Sequence, residues 1–364
     1  MAMDAAESGP WHVRAVRLPE GHEPEDWWIV DGRLSDTAVA AAKDVPGGWF
    51  LPGGLLDAHC HASMNFNDFA FADGSKALID ANLGAQRAAG VLALRDAGLA
   101  WGGSYSAESM AALRIQSAGR LLAAPGRGYP NICVWVEADQ LLNAALDELD
   151  RGATWVKLLA DFPGPDGNWF MAAPSYPFDV LHAVVQAVHA AGGRVMAHST
   201  GLAAADLVHA GVDSIEHGMQ LNRDLLQDMA QQHIAWSLTL GTALKHVGPI
   251  AAQNDPVGEY IRAELKRTRD LLPMAVDLGV PILLGTDELA HGALAQEMAM
   301  IHSYGLSSRQ VLAAASTKAR AFLGFPPFAP AMPADLITFA SDPRSDLSVL
   351  SRPSAIVFDG QRVC

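Results

Sequence analysis

Long apolar runs, paired cysteines and clusters of basic residues are all missing from this 364-residue chain. No run reaches the ~18 apolar residues that a membrane-spanning helix needs. The opening MAMDAAESGPWHVRAV has no apolar stretch behind a basic flank, so neither a signal peptide nor a membrane anchor is expected. Cys60, Cys133 and Cys364 are odd in number and far apart. That spacing excludes a disulfide framework and a thiolate metal site, and it suits a reducing cytoplasm. The formal net charge is -15 with no run of Lys or Arg, which argues against nucleic acid and against an anionic membrane surface as partners.

What is present describes a compact globular enzyme: half of the residues are hydrophobic, 18% are charged, and Gly and Pro are scattered. From Gly48 to about residue 323, short aliphatic and β-branched runs alternate with segments of helical period, the pattern of βα units and a parallel sheet. Candidate strands lie near 49–59, 91–98, 120–126, 155–160, 194–199, 213–218, 234–240 and 281–287. Helices are expected from Asp179 to Ala191, stopped by Gly192 and Gly193, and from Pro256 to Leu278, ending at Gly279. The count of eight, with polar residues at the C-terminal strand ends and no Gly-rich first turn, favours a closed (β/α)8 TIM barrel over 48–332 rather than an open doubly wound sheet. Segments 11–47 and 333–364 carry short strand-like pieces and two Asp-Gly turn signals. Each is too short for its own core, so both chain ends are expected to build one small β-sandwich, with residues 1–10 as a disordered tail.

The densest chemical signal is LPGGLLDAHCHAS. His59 and His61, two apart on a strand, project to one face and can reach one ion, whereas Cys60 between them points away as a small buried filler. Further ligand-type residues end later apolar runs: His198 in RVMAHS, His217 in DSIEHG and Asp287 in PILLGTD. Active-site residues of a TIM barrel come from such strand ends. Lys157, inside the apolar run WVKLLA, would bury an ammonium at a cost of several kcal/mol. Either it pairs with a carboxylate, or it loses its proton and is carboxylated by carbon dioxide.

The remaining polar residues read more simply. Arg95 and Asp96 are expected to pair with each other, and Glu216 to face the helix layer behind His217. His182, His189 and His209 fall within helices, where surface or packing roles are the default. His291 can line a pocket, and Trp135, Tyr129 and Trp169 can supply an apolar wall.

Taken in order, LPGGLLDAHCH, ALRDAG, WVKLLA, AHSTG, SIEHG, LLGTD and PADLITF resemble the amidohydrolase superfamily, in particular the branch of imidazolonepropionases and Xaa-Pro dipeptidase-like enzymes. The resemblance covers nearly the whole chain. It implies that His59, His61, His198, His217 and Asp287 bind one or two divalent ions, and that Lys157, carboxylated, bridges two. Nitrogen and oxygen ligands suit zinc first, and also manganese, iron or cobalt. Two departures stand out. Many dipeptidase-like relatives carry Gly-Gly-His-Gly after strand three where this chain reads PGRGYPN, leaving Tyr129 or Arg127, with His291, as candidate substrate contacts. Deaminases of the superfamily pair the strand-five histidine with a nearby glutamate, and AHSTG offers none.

The expected activity is therefore metal-assisted hydrolysis of a C–N bond in a small amide, cyclic amide or dipeptide-like substrate. Asp287 would act as general base, and His217 with the metal would stabilise the oxyanion. The alternatives are a lactonase-type C–O hydrolase, a non-hydrolytic isomerase or decarboxylase on the same barrel, and a ligand-binding member without catalysis, which the complete ligand set disfavours. A small-molecule substrate is the expected partner, and a homo-oligomer is compatible with the sequence.

Overall fold

The computed structural model describes residues 7–65, 74–100, 103–163, 167 and 171–363. Eight parallel strands form its centre: β1 (Leu55–Cys60), β2 (Val91–Asp96), β3 (Leu121–Ala123), β4 (Trp155–Leu159), β5 (Arg194–Ser199), β6 (Ser214–His217), β7 (Ala235–Leu238) and β8 (Ile282–Leu284). Both faces of these strands are covered, which is why they read as near-continuous apolar runs.

Strands β3 to β8 hydrogen-bond in sequence order, and β1 and β2 pair in parallel and continue into Arg114–Ser117. Three links close the ring. Cys60 bridges to Asp287, Leu99 bridges to Arg120, and Thr154 N donates to Ser117 O. The barrel form expected from the count of eight is thus present, with its third strand broken into Arg114–Ser117 and Leu121–Ala123. Ala58, Trp155, Met196, Ala235 and Leu283 fill the lower interior, while Val156, Leu158, Val195, Ala197 and Ile215 face the helices. The helix Pro256–Leu278 starts where the Asp255 side chain accepts from Gly258 N and stops at Gly279, φ 88°.

Both chain ends meet in a second sheet. Its nine strands are Glu7–Ser8, Trp11–Arg17, Pro24–Val30, Arg33–Ser35, Lys43–Asp44, Trp49–Pro52, Leu336–Phe339, Ala355–Phe358 and Gln361–Arg362. Trp11, Trp27, Phe50, Leu336 and Val357 form its own apolar cluster. Both Asp-Gly pairs, Asp31-Gly32 and Asp359-Gly360, take positive φ at both residues and join adjacent antiparallel strands.

Three expectations differ in the structure. The small β-sandwich expected from both chain ends is not confirmed: their strands form one hydrogen-bonded sheet, in which Trp49–Pro52 pairs with Leu336–Phe339 on one side and Trp11–Arg17 on the other. The run 49–59 is two strands in different sheets: Gly53 and Gly54, at φ 71° and 67°, turn the chain from one into the other. A Cβ on Gly54 would lie 2.5 Å from the Leu92 side chain, so the turn also needs the close approach. Of the tail expected over 1–10, residues 1–6 lie outside the described residues, and Glu7–Ser8 pair with Gln361–Arg362. No helix among the described residues is long and apolar enough to cross a membrane.

Candidate metal centre

The register of β1 against β2 shifts between Asp57 and Cys60, and this irregularity lets His59 and His61 both face the interior above Ala58. Cys60 points outward into a cluster with Ile79, Leu83 and Leu94, as its alternation with the histidines predicts. His59 Nδ1 bonds to Glu216 Oε2 at 2.5 Å, and His61 Nδ1 to the Gly98 carbonyl at 2.9 Å. With both Nδ1 atoms donating, each Nε2 keeps its lone pair for a metal. Burial, and then the nearby Lys157 charge, holds His59 well below its ordinary pKa, in the neutral form a ligand requires.

The third arm of the cluster is Asp287, just past β8. Its Oδ1 lies 3.7 Å from His59 Nε2 and 3.5 Å from His61 Nε2. Its backbone is in the left-handed region, φ 49°, and its N–H donates to His59 O at 2.7 Å. Asp57 ties the same two strands together by accepting from Thr286 Oγ1 at 2.6 Å and from Thr286 N at 3.1 Å. Gly285 completes the fit, since a Cβ there would lie 2.3 Å from the His59 Cβ. One donor atom each from His59, His61 and Asp287 falls within 4.8 Å of the others. An ion about 2.1 Å from each donor needs donors only about 3 to 3.5 Å apart, so this set fits a divalent cation with small adjustment.

His198 and His217 stand beside the cluster ring to ring, their centroids 4.5 Å apart and the His59 ring 5.1 Å from His217. His217 departs from strand alternation. Glu216, one position earlier, already points inward, so a regular strand would aim His217 at the helices; its φ of 69° turns the ring back toward the barrel mouth. There Nδ1 meets Thr239 Oγ1 at 2.7 Å, and its carbonyl accepts from Trp236 Nε1. Burial, with Lys157 next, brings His198 down to about 3. Lys157 shares the inner face of β4 with Trp155, is 1% exposed, and makes no hydrogen bond or ion pair among the described residues. Burial brings its amine down to about 8, although Glu216 and Asp287 act in the opposite direction.

One orientation and one pairing expected from the sequence are not found. Glu216 does not face the helices; it lies at the barrel centre and accepts from Arg95 Nη2 at 2.9 and 3.1 Å. Arg95 and Asp96 do not pair with each other, because consecutive strand residues face opposite ways. Arg95 serves Glu216, Ser214 and the Ala58 carbonyl inside the barrel, whereas Asp96 accepts from Tyr105, Ala62 N and Gly98 N on the outer side.

A cavity of about 280 Å³ opens above the cluster and is lined by all six expected ligand residues: His59, His61, Lys157, His198, His217 and Asp287. Of the expected substrate contacts only Tyr129 reaches it. Arg127 instead donates to the Phe162, Ala173 and Pro174 carbonyls, and His291 Nε2 bonds to Met64 O, neither lining the cavity. Trp135 is outside the lining, and Trp169 lies outside the described residues. His182 stacks on Phe178, His189 pairs with Asp213, and His209 stands 3.8 Å from Asp228, the packing and surface roles expected of helix histidines. Unforeseen wall residues are Phe162, Thr242, His246 and Glu288, with His246 Nε2 2.6 Å from Glu288 Oε2. Only the adjacency of Glu288 to Asp287 hinted at them.

The Amidohydrolase family profile matches residues 49–363. The chain belongs to this family. Uncharacterized proteins of Mycobacterium tuberculosis and Mycobacterium bovis are each 35% identical to this amidohydrolase over 362 residues, 96% of this chain and 95% of theirs. Among solved structures, a prolidase complexed with N-methylphosphonate-L-proline superposes with a TM-score of 0.78 at 23% identity, covering 97% of this chain and 98% of that one. A Xaa-Pro dipeptidase with bound methionine gives 0.76 at 18% identity, with 97% and 99% coverage. The ochratoxinase of A. niger gives 0.77 at 19%, with 99% and 96% coverage. These likenesses show the shared fold. The family is metal-dependent, and among the described residues His59, His61 and Asp287 form a group that could hold a metal ion.

Proposed function

We propose that this amidohydrolase is a hydrolase that cleaves a C–N bond of a small amide, cyclic amide or dipeptide-like substrate. The observation that carries the reading is the convergence of His59 Nε2 and His61 Nε2 on Asp287 Oδ1 at the base of a small-molecule-sized cavity. His59, His61 and Asp287, completed by His198 and His217, would hold the divalent ion, for which zinc suits the donors best. When bound, the ion supplies Lewis acidity and lowers the pKa of a water.

The chain's own groups do the rest. Asp287, poised on the strained end of β8, takes the proton of the attacking water and delivers it to the leaving nitrogen. The His217 ring is buried and neutral, and its tautomer sets its role: with Nδ1–H donating to Thr239 Oγ1, Nε2 would be a metal ligand, whereas with Thr239 donating to Nδ1, the Nε2–H would instead meet the developing oxyanion. Lys157, with no hydrogen-bond or ion-pair partner among the described residues and its amine brought down to about 8, would on carboxylation supply an anionic oxygen donor to the metal site. Cys60 and Cys133, buried and unpaired, support a reducing compartment such as the cytoplasm.

The test is turnover of small amides in water enriched in heavy oxygen, with metal counted per chain by elemental analysis. One solvent oxygen in the carboxyl product, with activity lost to a chelator and regained with zinc, is expected. Product without solvent oxygen would move the protein to the isomerase or decarboxylase class, and metal-independent turnover would sink the reading.

A further inference from the structure

Besides the candidate ligand histidines, Lys157 and Asp287, the cavity is lined by an apolar set, Leu121, Leu159, Phe162, Met219, Val247 and Ile250. No arginine lines it among the described residues. The basic groups nearby are already engaged with protein oxygens. His246 Nε2 lies 2.6 Å from Glu288 Oε2, and Lys245 Nζ approaches the same carboxylate at 3.6 Å. Arg127 is spread over three carbonyls, and Arg267 over Met219 O and Glu264. The segments outside the described residues, 1–6, 66–73, 101–102, 164–166, 168–170 and 364, contain no Lys, Arg or His in their sequence.

Away from the metal ligands, a substrate carboxylate would therefore meet apolar side chains, Tyr129, Thr200 and Thr242, and a His246–Glu288 pair that has no net positive charge to offer it. Burying an ion without a counter-charge is strongly unfavourable. Building on the hydrolase reading, we infer that the substrate is an uncharged amide with apolar groups on both sides of the scissile bond and no free carboxylate. This sets the protein apart from an enzyme that grips dipeptides by their C-terminal carboxylate.

The experiment uses the metal-loaded enzyme and three matched probes: the 4-nitroanilides of hexanoic acid, of adipic acid with its second carboxylate free, and of adipic acid monomethyl ester. The hexanoyl and ester probes are expected to exceed the free acid in kcat/KM by at least about 100-fold. Equal or better turnover of the free acid overturns the inference. If none of the three turns over, the hydrolase reading suffers, and the charge preference is still read from binding. Calorimetry with hexanohydroxamate and with adipic monohydroxamate decides it: tighter binding of the uncharged compound supports the inference, while equal binding, tighter binding of the acid or binding of neither overturns it. Ile250→Arg, which places a cation in the apolar wall, should improve the acid's binding by at least about 10-fold, as a buried counter-ion would. A folded variant with no improvement counts against the inference.

Discussion

Glu216 accepts a hydrogen bond from Nδ1 of His59 at 2.5 Å although 157 positions separate them in sequence. The same carboxylate is anchored by Arg95, itself fully buried, so a rigid chain of charge and hydrogen bonds runs from the barrel centre to the candidate ligand. Such a partner fixes the tautomer and direction of a ligand imidazole.

Replacing Glu216 with Gln keeps the volume and removes the charge. Metal affinity, measured by competition with a chelating dye, should fall about 10- to 100-fold. Arg95 keeps its bonds to Ser214 and the Ala58 carbonyl, so the variant should still fold. Unchanged affinity would show that His59 is oriented by something else.

Asp287→Asn should lower kcat by about 10²- to 10⁴-fold, the usual span for losing a general base. Metal content is measured on the same sample, so that loss of the ion is distinguished from loss of the base. Normal turnover with metal retained would remove Asp287 from the proposed role.

Lys157 makes a pH prediction for metal-free, bicarbonate-free protein. Its amine titrates near 8 in the folded chain against an ordinary 10.5. Between those values the unfolded chain holds the proton and the folded chain does not, so stability rises with pH across that window and is lost as pH falls through it. The swing is about 3 kcal/mol. It is read as the difference between the denaturation curves of the parent and of Lys157→Met, and parallel curves would contradict it. With labelled bicarbonate and zinc present, carbon NMR should show a carbamate signal in the parent that Lys157→Met lacks.

Arg127→Ala and Tyr129→Phe should behave oppositely. Arg127 staples three carbonyls and does not line the cavity, so its loss should cost about 1–3 kcal/mol of stability while leaving KM within about 2-fold. Tyr129 lines the cavity, so Tyr129→Phe should change KM with little effect on the melting temperature. A large KM effect at Arg127 would restore it as a substrate contact.

The sequence by itself determined the βα alternation, the Asp-Gly hairpins, the His59 and His61 pair, and the strand-end placement of His198, His217 and Asp287. All of these rest on local rules: a period of two or 3.6 residues, or a turn two residues long. Lys157 was legible for the same reason, a cation inside an apolar strand. What only the tertiary structure decided depends on contacts made when the ring closes. Strand alternation with an inward His217 places Glu216 outward; in the structure Glu216 keeps the alternation, and His217 breaks it through a positive φ. Arg95 finds Glu216 rather than its neighbour Asp96 because they meet across the barrel, 121 positions apart. The split of 49–59 between two sheets, the engagement of Arg127 by its own loops, and the pairing of His246 with Glu288 at the mouth belong to the same class. Local periodicity sets which residues can face inward, and closure of the barrel sets which of them meet.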